Sequence, residues 1–436
     1  MGGIVLRNLR GHSRALGFTS GAHALAVCAA LSVVPSQAYA EEPRGPEPDP
    51  SIATTIGNDP ARAGLAASGI TYGLNYIGEV FDVTSGGLSR GGAVNGRIEA
   101  YVDVDLEKFA GWKGGTFHAN GYYIYGDGPS TKRLGNIFAV SNIEALETLR
   151  LFEIWIQQGL LDDKLFVRVG QLAADSEFFI SSGAGQFFNG TFGWPGIVAA
   201  DIPQGGPAYP LATPGISVKY APNETLTVRA AVYNGSPADP DADDPQRADR
   251  HGLEFRIEDP PLIMVEGEVN YSAWLPGVLK VGGWKHVGDF TDLRTGDVVH
   301  GSHGLYAVVD QQIWKGAGDA AVNAFGRVSA SPDKQNLIDV YFDAGLVFSG
   351  LIASRPKDSF GAAFGYGRIG DRSRAADVDA ALPVVRDHDG TLRRAWQVNV
   401  FPTSFVIAPD QRIALRAVGE VDWDDAQVES RIRALR

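Results

Sequence analysis

Eight side chains in this sequence are suited to handling a solute. Arg97, Glu99, Glu153, Trp155, Gln157 and Arg168 fall in extended segments, and Trp194 and Asp201 lie in a long aromatic connection. Guanidinium, carboxylate and amide groups in such a ladder can exchange hydrogen bonds with a hydroxylated solute weakly enough to release it, while an indole ring packs against its CH face. The same groups can equally form a salt-bridge network that only shapes a water-filled space. Bond-breaking chemistry fits less well. A glycosidase needs two acids flanking one bond, whereas the acids here alternate along extended segments among arginines. A Walker fingerprint does not occur. The one cysteine, Cys28, cannot make a CxxC pair or a cysteine zinc site. His300-Gly301-Ser302-His303 has no third ligand close in sequence, and Asp239, Asp241, Asp243, Asp244 and Asp249 lack the glycine and terminal glutamate of a calcium loop. The expectation is no catalytic residue, no metal and no cofactor.

Those side chains must be held by strands, because the apolar residues recur with period two. Ile70, Tyr72, Leu74, Tyr76 and Val80 alternate with Thr71, Asn75 and Glu79. Ile98, Ala100, Val102, Val104 and Leu106 alternate with Arg97, Glu99, Asp103, Asp105 and Glu107. The same pattern recurs at 165–171, at 226–232, at Leu253, Phe255 and Ile257, and at 263–271. Successive strand residues face opposite sides, so these strands meet apolar surroundings on one face and water on the other. Around 152–156 the apolar face reads Phe152, Ile154 and Ile156, which turns Glu153, Trp155 and Gln157 to the polar side.

The chain has 436 residues with 38 basic against 51 acidic, a formal net charge of −13. That field repels phosphates, so nucleic acid is not an expected partner. Residues 1–40 have the parts of an export signal: Arg7, Arg10 and Arg14, an apolar stretch from Ala24 to Val34, then Ala38-Tyr39-Ala40. Cleavage before Glu41 would leave 41–69 as an N-terminal periplasmic segment. No later run is long and apolar enough to span a bilayer as a helix. An exported chain of about fourteen alternating segments is then either a large soluble β-protein or an antiparallel barrel in a membrane, and segment number, segment length and aromatic residues near segment ends favour the barrel.

Such barrels join strands by short turns at one end and longer loops at the other. Connections at 81–96, 126–148 and 172–215 read as long, against 107–115 and 159–163 as short, and 221–225 is again followed by a long 234–251. The alternation blurs at Pro260-Pro261 and at 285–302. The connection 172–215 carries Phe187, Phe188, Phe192, Trp194, Asp201 and Tyr209. Folded into the lumen, it would constrict the passage; a plug or an external contact surface is the other reading.

With these residues assembled, the sequence resembles the carbohydrate-selective porin family of Gram-negative outer membranes. The matching text includes Arg62 to Tyr76, Gly86-Gly87, Asp105-Leu106-Glu107-Lys108 and Gly111-Trp112-Lys113-Gly114-Gly115. It continues through Leu151-Phe152-Glu153-Ile154-Trp155, Arg168-Val169-Gly170-Gln171, Phe187-Phe188-Asn189 and Gly206 to Ala212. Val232 to Pro237, Leu275-Pro276-Gly277, Gly282-Gly283-Trp284 and Asp310-Gln311 also fit. The resemblance spans roughly 60 to 370 and rests on the order of the blocks. It implies an all-β fold, a transmembrane antiparallel β-barrel of about sixteen strands occupying 70–370, that passes glucose and similar sugars by diffusion across the outer membrane. The implied partners are small sugars in transit, outer-membrane lipid and lipopolysaccharide, and the outer-membrane assembly machinery, with a monomer or a homotrimer as the functional unit. A non-selective diffusion porin, a secreted β-rich glycosidase and a plugged adhesive barrel are the alternatives. The C-terminus departs from the family: 371–436 is crowded with charge and ends Arg433-Ala434-Leu435-Arg436, where two alternating strands and a terminal aromatic residue are expected. Asp410-Gln411 reads as a remnant of the penultimate strand and 424–436 as a helix or tail. A frameshifted or degenerate end is the expectation.

Overall fold

The computed structural model describes residues 60–352 and 354–379, together with 403–407 and 413–418. The expected signal, the segment before residue 60, and the expectation for 424–436 lie outside the described residues.

A short helix, Pro60–Ala67, leads into thirteen strands that form one antiparallel sheet in simple sequence order. They are β1 (Ile70–Val83), β2 (Gly91–Asp105), β3 (Gly115–Gly126), β4 (Thr148–Leu160), β5 (Leu165–Leu172), β6 (Thr213–Tyr220) and β7 (Leu226–Tyr233). The meander continues as β8 (Leu262–Ser272), β9 (Pro276–Thr291), β10 (Val298–Lys315), β11 (Ala321–Ala330), β12 (Ile338–Ser349) and β13 (Ser359–Ile369). A separate unit, 377–436, contains an antiparallel hairpin of β14 (Thr403–Ile407) and β15 (Ile413–Val418). Asp410-Gln411 falls between these two strands and outside the described residues.

One face of the sheet is apolar and bare. Leu74 is 71 %, Val80 81 % and Leu305 71 % exposed, a density of large apolar side chains that water would not tolerate and lipid would. The other face is where charge is buried, with Glu266, Arg327 and Asp343 essentially inaccessible. Pairs such as Arg229 opposite Glu266 and Arg327 opposite Asp343 fix this register, because a one-residue slip would carry these charges to the lipid side. Among the described residues no helix is long and apolar enough to cross a membrane.

A meander places alternate connections at the same end. One end carries 84–90, 127–147, 173–212, 234–261, 292–297 and 331–337. The other carries only turns and short links, the longest being 106–114 and 350–358. Three expectations are corrected here. Residues 253–257 form no strand: Leu253, Phe255 and Ile257 sit in the 234–261 loop, whose His251 carbonyl accepts from Leu151 N–H, filling the edge of β4 that the shorter β5 leaves bare. The expected long connection at 285–302 is a six-residue turn, because β9 and β10 pair all the way from Gly277 to Thr291. The first connection is also short, since β1 and β2 pair to Val83 and Gly91.

Candidate functional site

The 173–212 connection folds inside the sheet. Phe178, Phe179, Ile197, Val198 and Ile202 are buried against Tyr233, Leu262, Met264, Trp284, Tyr306, Val308 and Tyr341 from the inward faces of β7 to β12. Each such side chain contributes roughly 1.5–3 kcal/mol on burial, so this core binds the loop to one side of the lumen. β13 helps by having almost no inward side chains. Its inward positions are Gly361, Ala363, Gly365 and Gly367, and a Cβ at Gly361 or Gly367 would come within 2.8 Å of Phe187 or 2.7 Å of Phe138.

Wall side chains then fasten the loop backbone. Glu153 accepts from Ala173 N–H (3.0 Å), Glu266 from Phe179 N–H (2.9 Å), and Asp310 from Gly183 N–H (3.0 Å) and the Ser181 hydroxyl (2.6 Å). Arg327 supplies the opposite half, donating to loop carbonyls. Charge-assisted bonds of this kind are short and directional. The 127–147 connection lines the neighbouring edge: its Ser141 donates to Glu79 on β1 (2.5 Å), and Phe188 of the loop packs on Phe81 at 5.7 Å.

The lumen left over is bounded by the inward faces of β1 to β5, where most of the expected residues gather. Arg97 lies over the Tyr122 ring (4.6 Å) and the Tyr209 ring (5.2 Å). Glu99 accepts from Asn120 (3.0 Å) and Asn75 (3.2 Å). Trp155 stacks with His118 at 4.9 Å, and His118 is held by Asp103 at 2.6 Å. Arg168 lies 3.9 Å from the Trp155 ring centre, donates to Gln157 (2.9 Å) and pairs with Glu177 of the loop (2.7 Å).

Glu99 and Gln157 are buried among these contacts, and three further expected residues hold the loop. Glu153 is buried and serves as the anchor for Ala173. Trp194 donates through its indole N–H to the Gly205 carbonyl (3.0 Å) within the loop. Asp201 is buried at the end of the short helix Gly196–Asp201, where it accepts from Ile338 N–H (3.1 Å) and the Ser331 hydroxyl (2.8 Å) and ties the loop to the start of β12. Burial pushes its carboxyl up to about 7, against the lowering pull of those two donors.

One face assignment is corrected. Ala119 pairs with Ile154 but Gly121 pairs with Leu151, so β4 gains a residue at this point. That bulge turns both Phe152 and Glu153 inward. Phe152 is buried with Tyr122 and Tyr209 and does not face lipid. Arg327, Asp310 and Glu266 are absent from the ladder read in the sequence. Alternation at 321–330 could have flagged Arg327 as inward; its partners, backbone carbonyls, have no sequence signature.

Comparison with known proteins follows the same lines. Residues 89–400 match the family model described as "Carbohydrate-selective porin, OprB family". The match runs thirty residues beyond the end of the resemblance read from the sequence. Porin B of Pseudomonas aeruginosa is 24% identical over 331 residues, covering 69% of this chain and 70% of that protein. A high-pH structure of Pseudomonas putida OprB superposes with a TM-score of 0.67 at 20% identity, covering 76% of this chain and 83% of that one.

Proposed function

This chain belongs to the OprB family of carbohydrate-selective porins, and from that premise we propose how its lumen passes a sugar. As an outer-membrane sugar porin it is a channel and not an enzyme. The solute descends past the 173–212 loop along the inward faces of β2 to β5. Arg97 and Arg168 exchange hydrogen bonds with its hydroxyls, backed by the buried Glu99 and Gln157, and the Trp155 indole borders its CH face. Glu153, Asp201 and Trp194 act one step back, by keeping the loop where it narrows the passage.

The observation that carries this reading is the Arg168 guanidinium, which joins both walls: it rests on Trp155 and bonds to Gln157 on the strand side while pairing with Glu177 on the loop side. A group so placed bridges loop and wall, and its remaining edge is a hydrogen-bond donor for a passing hydroxyl. Glucose and similar small sugars fit this mixture of rings and charged donors. The functional unit of the porin is a monomer or a homotrimer.

Single-channel recording of the refolded protein in a planar bilayer, titrated with glucose, tests this. Saturable closure of discrete openings is the expected result. Steady conductance indifferent to sugar would overturn the assignment and leave a non-selective pore.

A further inference from the structure

Arg327 sits in the middle of β11 with its side chain fully buried, and every nitrogen of its guanidinium is engaged. Nε meets both carboxylate oxygens of Asp343 (3.1 and 3.0 Å), and Nη2 meets one of them at 2.7 Å. The other bonds go to the loop: Nη2 to the carbonyls of Thr191 (2.9 Å) and Phe192 (3.0 Å), Nη1 to those of Phe179 (3.1 Å) and Gly193 (3.3 Å). Three of these carbonyls are consecutive, in the last turn of the short helix Gly190–Gly193. The fourth lies at the far end of the same arm, so one planar group pins both ends of 179–193. Tyr341 completes the seat, with its hydroxyl 2.5 Å from Asp343 and 2.8 Å from the Thr191 hydroxyl.

We infer that Arg327 is the positioning residue of the constriction: its guanidinium holds the 179–193 arm against β11 and β12 and so sets the width of the passage on the opposite side. The apolar core beneath the loop would bind it without fixing its place, because hydrophobic contact is non-directional. Directional bonds to four carbonyls from a rigid fork remove that freedom, and an ammonium could not replace the fork. The inference rests on the reading that solute passes between this loop and β1 to β5.

Two variants and a tether test it. Arg327→Lys keeps the charge opposite Asp343 and loses the fork. Arg327→Met combined with Asp343→Asn removes both charges, so neither is left buried without its partner. In planar bilayers both channels should show higher and noisier conductance, and the glucose concentration for half-block should rise about tenfold in the double variant and less in the Lys variant. A Cβ at Gly365 would lie 3.3 Å from Thr191 Cγ2, close enough for a disulfide. Thr191→Cys with Gly365→Cys, added to the double variant, should restore quiet conductance and sugar block when oxidised and lose both when reduced.

Wild-type conductance and block in the Lys variant and the double variant would overturn the inference. So would altered channels that ignore the redox state of the tether. If the double variant does not assemble, the Lys channel decides alone, and wild-type behaviour in it counts against Arg327. If the unaltered channel shows no sugar block, the functional reading fails, while the redox-dependent change in conductance still decides the role of Arg327.

Discussion

The Arg168 guanidinium lies 3.9 Å from the centre of the Trp155 ring, across the β4–β5 pair. A cation over an indole is worth roughly 0.5–2 kcal/mol according to its exposure, and here it aims a donor-rich side chain at the loop. Trp155→Ala should therefore free Arg168 from its platform. Glucose block is expected to weaken by about tenfold at most, with salt conductance close to wild type, because the loop stays on its other anchors. Current recordings with and without glucose read both quantities from one channel, and unchanged block would remove Trp155 from the solute path.

Asp201 gives the constriction a pH dependence with a definite sign. An unfolded chain releases this proton near 3.8, the folded one near 7. Between those values the folded state binds the extra proton, so stability falls as pH rises through the interval, and the full penalty is present above about 7. The ionised form also faces Asp339, which raises the same pKa. Thermal unfolding of detergent-solubilised protein should show a midpoint that declines from pH 5 to pH 8. In Asp201→Asn that part of the decline should disappear. An identical slope in the two proteins would assign the pH dependence elsewhere.

The inward face of β13 is predicted to resist enlargement. A Cβ at Gly361 would stand 2.8 Å from the Phe187 ring, so Gly361→Val must displace a ring that also packs on Phe192 and Phe325. Overpacking of this kind costs about 1–3 kcal/mol. Urea unfolding should shift to lower denaturant, and conductance should change as the loop moves. Gly64→Ala, in open space on the leading helix, is the matched control and should leave the channel unchanged.

For the C-terminal region the expectation of a degenerate end is tested by exchange. Replacing 371–436 with the last strands of a typical family member should raise the yield of heat-modifiable, membrane-inserted barrel. Equal insertion of the two chains would mean that this ending is unusual but competent.

Alternation marked most of the strands, because a strand's two faces are a local property: Ile98 and Glu99 must point apart whatever surrounds them. It likewise placed Arg97, Gln157 and Arg168 on the polar side, and the length and aromatic content of 172–215 marked the segment that enters the lumen. Alternation failed at Phe152, where a bulge against Asn120 breaks the period, and at Leu253, Phe255 and Ile257, whose alternating pattern lies in a loop that borrows the edge of β4. Only the tertiary structure decided what the loop rests on. Arg327 meets Phe179 and Thr191 across 148 and 136 residues of sequence, Asp201 meets Ile338 across 137, and most of the loop partners in these bonds are backbone groups, which every residue carries. Packing the 173–212 connection on the inward strand faces brings them together, and no spacing in the sequence can encode a contact whose acceptor is a carbonyl common to all residues.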